Sequence, residues 1–382
     1  MLKTTLSSVV CPACKGELRF SEGTVFQSLS AREGGAKVTR EDAYQDALWG
    51  DLVCGACSLQ FPILAGVAIL VEDVESYLFQ HIKGISKRVP DAKIPTRYQD
   101  LFREAKEALQ EYEGEHIEED LESERVNALY LMTHYLNASQ VISATKLTDP
   151  LIHSLISQHW DHGPFQKIKE WMQSSQQMGR AVELGCGVGG LASVLGNLVE
   201  SYLGVDYAFA SIALAREIQL GVSGAASTYS IPGDLIDGPL AKSVQFNVSQ
   251  FGMKDFVVGD FQQPPLKEAS WDLSIALNAI DMMDDPRMLA QLQFALLKKD
   301  GQAIQSCPYI WHEKVATLLR KQFGEKSVGG SVDRLSSSAV VEKLYQSQGF
   351  SIQKKIDHLP WLFFKHNRQL EVYSVHLFLA EK

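Results

Sequence analysis

The chain has 382 residues, 45% hydrophobic and 21% charged, and its 36 lysines and arginines against 46 aspartates and glutamates give a formal charge of −10. That balance describes an ordinary globular protein with room for about two or three domains, and it opposes a broad nucleic-acid footprint over the whole protein while leaving room for a local basic groove. No apolar run reaches membrane-spanning length, and Met1-Leu-Lys-Thr-Thr-Leu-Ser-Ser-Val-Val10 is too short and polar for a secretory leader, so a reducing, cytoplasmic setting is expected.

In a reducing compartment paired cysteines hold metal more readily than disulfides. Cys11-Pro-Ala-Cys14 and Cys54-Gly-Ala-Cys57 each bring two thiolates round one turn. Four thiolates suit a tetrahedral zinc with no open position, so Cys11, Cys14, Cys54 and Cys57 are expected to fold a head rather than to catalyse. The spacer over residues 15–53 is longer than zinc ribbons use. Its Gly23, Gly34 and Gly35 and a helix-like run from Arg40 to Leu48 predict an inserted excursion. The run Phe61-Pro-Ile-Leu-Ala-Gly-Val-Ala-Ile-Leu-Val71 predicts a buried strand pair. Lys15-Gly-Glu-Leu18 after the first knuckle, with Phe61-Pro-Ile63 and Gly66-Val-Ala-Ile-Leu70 after the second, resemble the small zinc-ribbon methyltransferase activators. Members of that family often work as separate subunits beside their enzymes. The resemblance implies a head over residues 1–75 joined here to its own client.

Residues 76–160 carry helical periodicity, strongest over Tyr98 to Leu109, Leu121 to Leu136 and Leu151 to Trp160, and punctuated at Pro90, Pro95 and Pro150. They predict a helical connector or lid. The acids from Glu111 to Glu124 read as a solvated helix face, and His134, His153, His159 and His162 as packing or surface histidines, because no metal-ligand spacing links them.

From residue 161 onward strands and helices alternate, which predicts a parallel sheet with right-handed crossovers. An amphipathic helix over 163–172 precedes Ala181-Val-Glu-Leu-Gly-Cys-Gly-Val-Gly-Gly190, a strand, a glycine turn and a helix start. Gly185, Gly187 and Gly189 let the backbone turn sharply and let a nucleoside approach. Their spacing is not the dinucleotide fingerprint, whose third glycine stands three residues after the second. With Glu183 at the strand end, the stretch resembles motif I of class I S-adenosylmethionine-dependent methyltransferases, whose loop holds the methionine part of the cofactor. The next strand ends at Asp206, where a carboxylate can accept from both ribose hydroxyls, with Tyr207 beside it. A third strand ends at Asp260 and Phe261, which by the same resemblance meet the adenine amino group and flank its ring. The fold implied over residues 161–382 is α/β, the Rossmann-like seven-stranded class I methyltransferase sheet, ending in an antiparallel hairpin over Phe350 to Phe364 and Leu370 to Ala380.

The fourth strand, Trp271 to Leu277, leads into Asn278-Ala-Ile-Asp281, which is expected beside the transferable methyl. The Asn-Pro-Pro-Tyr motif of nucleic-acid and glutamine-amide methyltransferases is absent. Asn278, Asp281 and Pro286 instead resemble the Asn-Leu-Leu-Asp-Arg segment of N-methyltransferases of histidine and its derivatives, with Met282 in place of the arginine. Cys307-Pro-Tyr-Ile-Trp-His312 stands at the following strand end, as further acceptor pocket or as aromatic packing. The reading is a methyltransferase using S-adenosylmethionine and a structural zinc, acting on nitrogen of a small molecule, peptide or protein side chain, an imidazole among them. Asp281 would accept or orient the proton, and Asn278 would fix the acceptor while also bordering the cofactor. An RNA methyltransferase docking through its ribbon, and a non-catalytic cofactor-binding scaffold, are the alternatives.

Overall fold

A computed structural model describes residues 1–29, 45–111, 125–173, 178–221, 253–323 and 335–382, with 229–231, 241–244, 326–328, 331–333 and a few single residues near them. Gly34, Gly35, the run from Arg40 to Tyr44, the acids from Glu113 to Glu124 and most of the stretch 222–252 lie outside the described residues.

The head contributes β1 (Leu18–Phe20), β2 (Val25–Ser28), β3 (Gln45–Cys54), β4 (Gln60–Leu64) and β5 (Val67–Leu70). The later part of the chain contributes β6 (Met178–Leu184), β7 (Val199–Asp206), the short pair β8 (Tyr229–Ile231) and β9 (Ala241–Val244), then β10 (Met253–Gly259), β11 (Trp271–Leu277) and β12 (Leu297–Cys307). A second short pair, β13 (Lys326–Val328) and β14 (Ser331–Asp333), precedes β15 (Ser351–His366) and β16 (Gln369–Glu381).

One sheet joins the two halves in the order β1-β3-β4-β5-β10-β7-β6-β11-β12-β16-β15, with β2 also on β3. Its catalytic portion runs parallel from β10 through β12, and β16 is inserted antiparallel between β12 and β15. This is the class I methyltransferase order. The head is attached because β5 pairs parallel with β10, Ile69 opposite Val258 and Leu70 opposite Gly259. An isolated bridge from Val9 to Leu266 adds a second stitch.

That junction explains the unbroken apolar run Phe61 to Val71. A strand inside a parallel sheet has both faces covered and so loses the alternation of a half-exposed strand. Leu64, Val67 and Ile69 enter one core, with Ile212, Phe256 and Val258. Phe61, Ile63, Ala68 and Leu70 enter the other, with Leu184, Val205 and Val257. The two cores of the enzyme sheet therefore extend into the head.

The run Arg40 to Leu48 requires a correction. Its described part, Gln45 to Leu48, is not helical but opens the ten-residue strand β3, paired with β1, β2 and β4. Helical spacing gave way to tertiary pairing, because Asp46 and Ala47 are buried at the junction. In the connector, helices occupy Gln99–Glu111, Ala138–Thr145 and Pro150–His159, with a further helical stretch over 125–135. Asn137 makes a capping box with Gln140, and Asp149 caps the helix that starts at Pro150. Among the described residues no helix is long and apolar enough to cross a membrane.

Candidate active site

The carboxyl ends of β6, β7, β10 and β11 lie side by side, the position at which parallel sheets bind ligands. After β6 the chain turns through Gly185, Gly187 and Gly189, each with positive φ, and enters the short helix Gly190–Leu195. The amides of Gly185 and Cys186 donate to the Val205 carbonyl at 2.8 and 3.1 Å, which ties the turn to β7. Two of the glycines differ in kind. A Cβ on Gly189 would stand 2.6 Å from the Phe256 ring, so that residue is glycine for packing. At Gly187 nothing lies within 4 Å of where a Cβ would be, which leaves the loop's outer rim open for close approach by a ligand.

Asp206, the last residue of β7, holds this loop. Its Oδ2 accepts from the Gly187 amide at 2.8 Å and its Oδ1 from the Ala208 amide at 2.9 Å. Burial lifts its carboxyl above the ordinary range, against the amides of Ala208, Gly187 and Tyr207. Each oxygen still has a second lone pair for a ribose hydroxyl. Tyr207 is 40% exposed at the mouth. Its backbone carbonyl accepts from the Tyr77 hydroxyl at 2.7 Å, and its ring meets Tyr77 edge-on at 5.0 Å and His81 at 5.4 Å. The segment just after the head therefore braces the Asp206 loop.

Asp260 follows β10 and accepts from the Gln262 amide at 2.8 Å, closing its own turn, while Phe261 packs partly buried against the second core. Glu183 stands apart from the open crevice. It is buried and accepts from the Tyr202 hydroxyl. Burial pushes its carboxyl up to about 8, opposed by the Tyr202 bond and reinforced by Asp206. Any role of Glu183 toward a ligand thus passes through the loop it underlies.

Asn278 and Asp281 stand at the end of β11. Asn278 has φ 52, a left-handed conformation that asparagine tolerates better than most residues, and its Oδ1 accepts from the Ser306 hydroxyl at 3.3 Å. Asp281 is 5% exposed, and its Oδ2 accepts from the Ile310 amide at 2.8 Å. Tyr309, one residue before that amide, is also left-handed at φ 63. Strained backbone at the ends of two neighbouring strands is a frequent mark of a functional site. Of the stretch Cys307 to His312, the aromatics serve packing: Tyr309 stacks on Trp311 at 5.4 Å, and its hydroxyl meets His376 Nδ1 at 2.7 Å. Its contribution to the crevice is the Ile310 amide. The buried Cys307 thiol is raised by burial and by Asp281.

In the head, Cys11, Cys14, Cys54 and Cys57 offer four sulfurs within 4.8 Å of one another. Cys11 Sγ lies 3.7 Å from Cys57 Sγ, and Cys14 Sγ lies 3.5 Å from Cys54 Sγ. Zinc–sulfur bonds of about 2.3 Å in a tetrahedron put sulfurs about 3.8 Å apart, so the donors fit this ion. The amides of Ala56 and Cys57 point at Cys54 Sγ from 3.4 and 3.5 Å and would neutralise thiolate charge.

Between head and crevice lies a group the sequence reading missed. Arg216, on the helix Phe209–Leu220, is 1% exposed and bridges Asp46 of β3 at 2.5 Å and Asp255 of β10. Asp255 also accepts from the Leu2 amide at 2.8 Å and the Thr5 hydroxyl at 2.6 Å. The available signal was an arginine in the otherwise apolar row Ile212, Ala213, Leu214, Ala215. A second missed group grips the glycine turn: Gln219 donates to the Gly189 carbonyl at 2.9 Å, and Tyr135 to the Val188 carbonyl at 2.7 Å.

Compared with known families, residues 182–305 match the model described as a methyltransferase domain, and residues 3–66 match that of Trm112p-like protein. Fold and match together identify residues 182–305 as a methyltransferase domain of the class I, S-adenosylmethionine-dependent fold. The chain carries that enzyme domain together with a Trm112-like zinc-ribbon head in one polypeptide. Among solved structures it is similar to a complex of the Haloferax volcanii Trm112 methyltransferase activator, at 14% identity and TM-score 0.35 over 61% of this chain and 94% of that one. It is also similar to the YcgJ protein of Bacillus subtilis, at 15% and 0.37 over 57% and 97%. A third is magnesium protoporphyrin IX methyltransferase of Synechocystis with bound cofactor, at 14% and 0.34 over 57% and 77%. Likeness at this level carries no further argument. No curated protein matches the chain.

Proposed function

We propose that the chain methylates a nitrogen of a small molecule, peptide or protein side chain, with the acceptor held over Asn278 and Asp281. The division into a head over 1–75, a connector over 76–160 and a catalytic domain over 161–382 belongs to the same reading. Bound along the ends of β6, β7 and β10, S-adenosylmethionine supplies an electrophilic methyl on a sulfonium. The glycine turn, Asp206, Tyr207, Asp260 and Phe261 would hold it.

The observation that carries the reading is the state of Asp281. One carboxylate oxygen is fixed by the Ile310 amide, the buried Cys307 thiol stands beside the carboxylate, and among the described residues no lysine or arginine pairs with it. A carboxylate fixed at one oxygen can accept an N–H from the acceptor with the other, and can take a proton where the nitrogen must lose one. Asn278 then orients the acceptor plane. A neutral amine or imidazole brings its own lone pair, so most of the work is alignment, which contributes roughly 7–11 kcal/mol to lowering such barriers. The test is incubation with methyl-labelled cofactor and separated small-molecule, protein and RNA fractions. Label on nitrogen in the small-molecule or protein fraction supports the proposal. Label confined to RNA, or to no fraction, contradicts it.

A further inference from the structure

The closing strand pair is longer than the sheet requires. Strand β16 runs antiparallel to β12 with His376 opposite Cys307, the last residue of β12. Residues 369–375 therefore continue beyond the carboxyl edge from which Asn278 and Asp281 project. At about 3.4 Å per residue, Tyr373 stands about 10 Å past that edge. Register pairs Trp361 with Tyr373 and Phe363 with Glu371, so these four residues share one face of the overhang.

That face meets the helical stretch 125–135. Tyr130 packs edge-on against Phe363 at 6.0 Å, and Phe363 lies 5.1 Å from Tyr373. The Tyr373 hydroxyl donates to Glu371 Oε2 at 3.1 Å. The helical stretch that covers this face also grips the glycine turn, where Tyr135 donates to the Val188 carbonyl at 2.7 Å. Tyr130 is raised by burial and by the charges of Asp206 and Glu371, and Tyr373 is pushed up to about 12 by burial, Glu371, Tyr130 and Asp281. The cation beside them is Lys365, 3.4 Å from the same Oε2 of Glu371 and partly exposed. Among the described residues no lysine or arginine pairs with Asp206 or Asp281.

We infer that the space between the overhanging hairpin and the carboxyl edge is the acceptor pocket, and that Tyr130, Tyr373 and Glu371, with the buried Phe363 ring packed behind them, select an acceptor bearing a cationic amine. Ring faces attract a cation within about 6 Å, and a carboxylate acceptor would gain nothing from them and meet the Glu371 carboxylate instead. The inference rests on the methyltransferase reading of the crevice and adds the charge of the molecule it takes.

A pair of shape-matched probes tests it. The full chain is saturated with S-adenosylhomocysteine, and phenethylammonium or phenylacetate is titrated at pH 7 with ligand-observed NMR. Phenethylammonium is expected to bind and phenylacetate not to bind. Glu371→Gln is expected to weaken the amine about tenfold and Tyr373→Phe by less, with S-adenosylhomocysteine affinity kept within about twofold. Equal binding of the two probes, no binding of the amine, or unchanged amine affinity in Glu371→Gln overturns the inference. Failure of the parent chain to bind S-adenosylhomocysteine at all would overturn the cofactor reading, and the inference with it.

Discussion

Replacing Arg216 with methionine tests whether the head is locked to the enzyme by charge. The guanidinium is buried with Asp46 and Asp255, one acid from each half of the chain. Methionine fills similar volume, and Asp46 retains its bonds to Met1 at 2.8 Å and Gln27 at 3.2 Å. Removing one partner of a buried ion pair costs about 3–5 kcal/mol. An upper bound follows from chemistry: a carboxyl of ordinary pKa near 4 can be neutralised at pH 7 for about 4 kcal/mol, at about 1.4 kcal/mol per pH unit. The expected loss is therefore about 3–4 kcal/mol at pH 7. In the parent, burial raises the Asp46 carboxyl but Arg216 and Met1 outweigh it and leave it lowered. A lowered carboxyl contributes stability that is present above its unfolded value, and that stability disappears as pH falls through the folded value. Parent stability from this group is thus constant from pH 7 to 5. The variant's penalty should shrink over that interval as protonation becomes cheaper. Urea unfolding of both proteins at pH 7 and pH 5, followed by circular dichroism and zinc content, measures the difference. A loss under about 1 kcal/mol at pH 7, or the same loss at both pH values, would refute the reasoning.

Cys54→Ser should lower zinc from about one to well under one per chain in metal analysis, and loosen the head, since a structural ion of this kind supplies roughly 10–16 kcal/mol of apparent folding free energy; a zinc-free parent would contradict this. Asp281→Ala should reduce turnover about 10²–10⁴-fold while leaving S-adenosylhomocysteine affinity in place, and unchanged turnover would remove its role. Glu183 is raised from 4.5 to about 8, so between those values the folded chain carries a proton that the unfolded chain lacks. Parent stability then falls by about 1.4 kcal/mol per pH unit as pH rises through that window. Glu183→Gln, which can still accept from Tyr202, should remove that slope, and parallel stability curves for the two proteins over pH 5–8 would count against the buried proton.

Much of the fold could be read from local pattern. The glycine turn after Glu183, acids at the ends of successive strands and two cysteine knuckles each depend on a few neighbouring residues, and the structure brings the acids and the turn to one edge. What escaped was long-range. Gln45 to Leu48 looked helical because periodicity cannot register a strand partner far away in sequence, or an arginine 170 residues on that buries Asp46. Phe61 to Val71 was legible as buried strands, but not as the seam that carries head and enzyme in one sheet. Tyr77, Tyr130 and Tyr373 carry no motif at all. Tyr77 reaches Tyr207 because the chain after the head folds back, and Tyr130 meets the Phe363–Tyr373 pair because β16 overruns its neighbour. Glu183 shows the opposite lesson: its position in the motif was clear, while its burial beneath Tyr202 depended on a residue in the next strand.

Titration of S-adenosylhomocysteine into the parent chain and into Asp206→Ala by calorimetry tests the cofactor site most directly. One site per parent chain is expected, with an affinity at least about tenfold weaker in the variant, which loses both the ribose acceptor and the anchor of Gly187. Equal affinity in the two proteins, or no binding to the parent, would contradict that site.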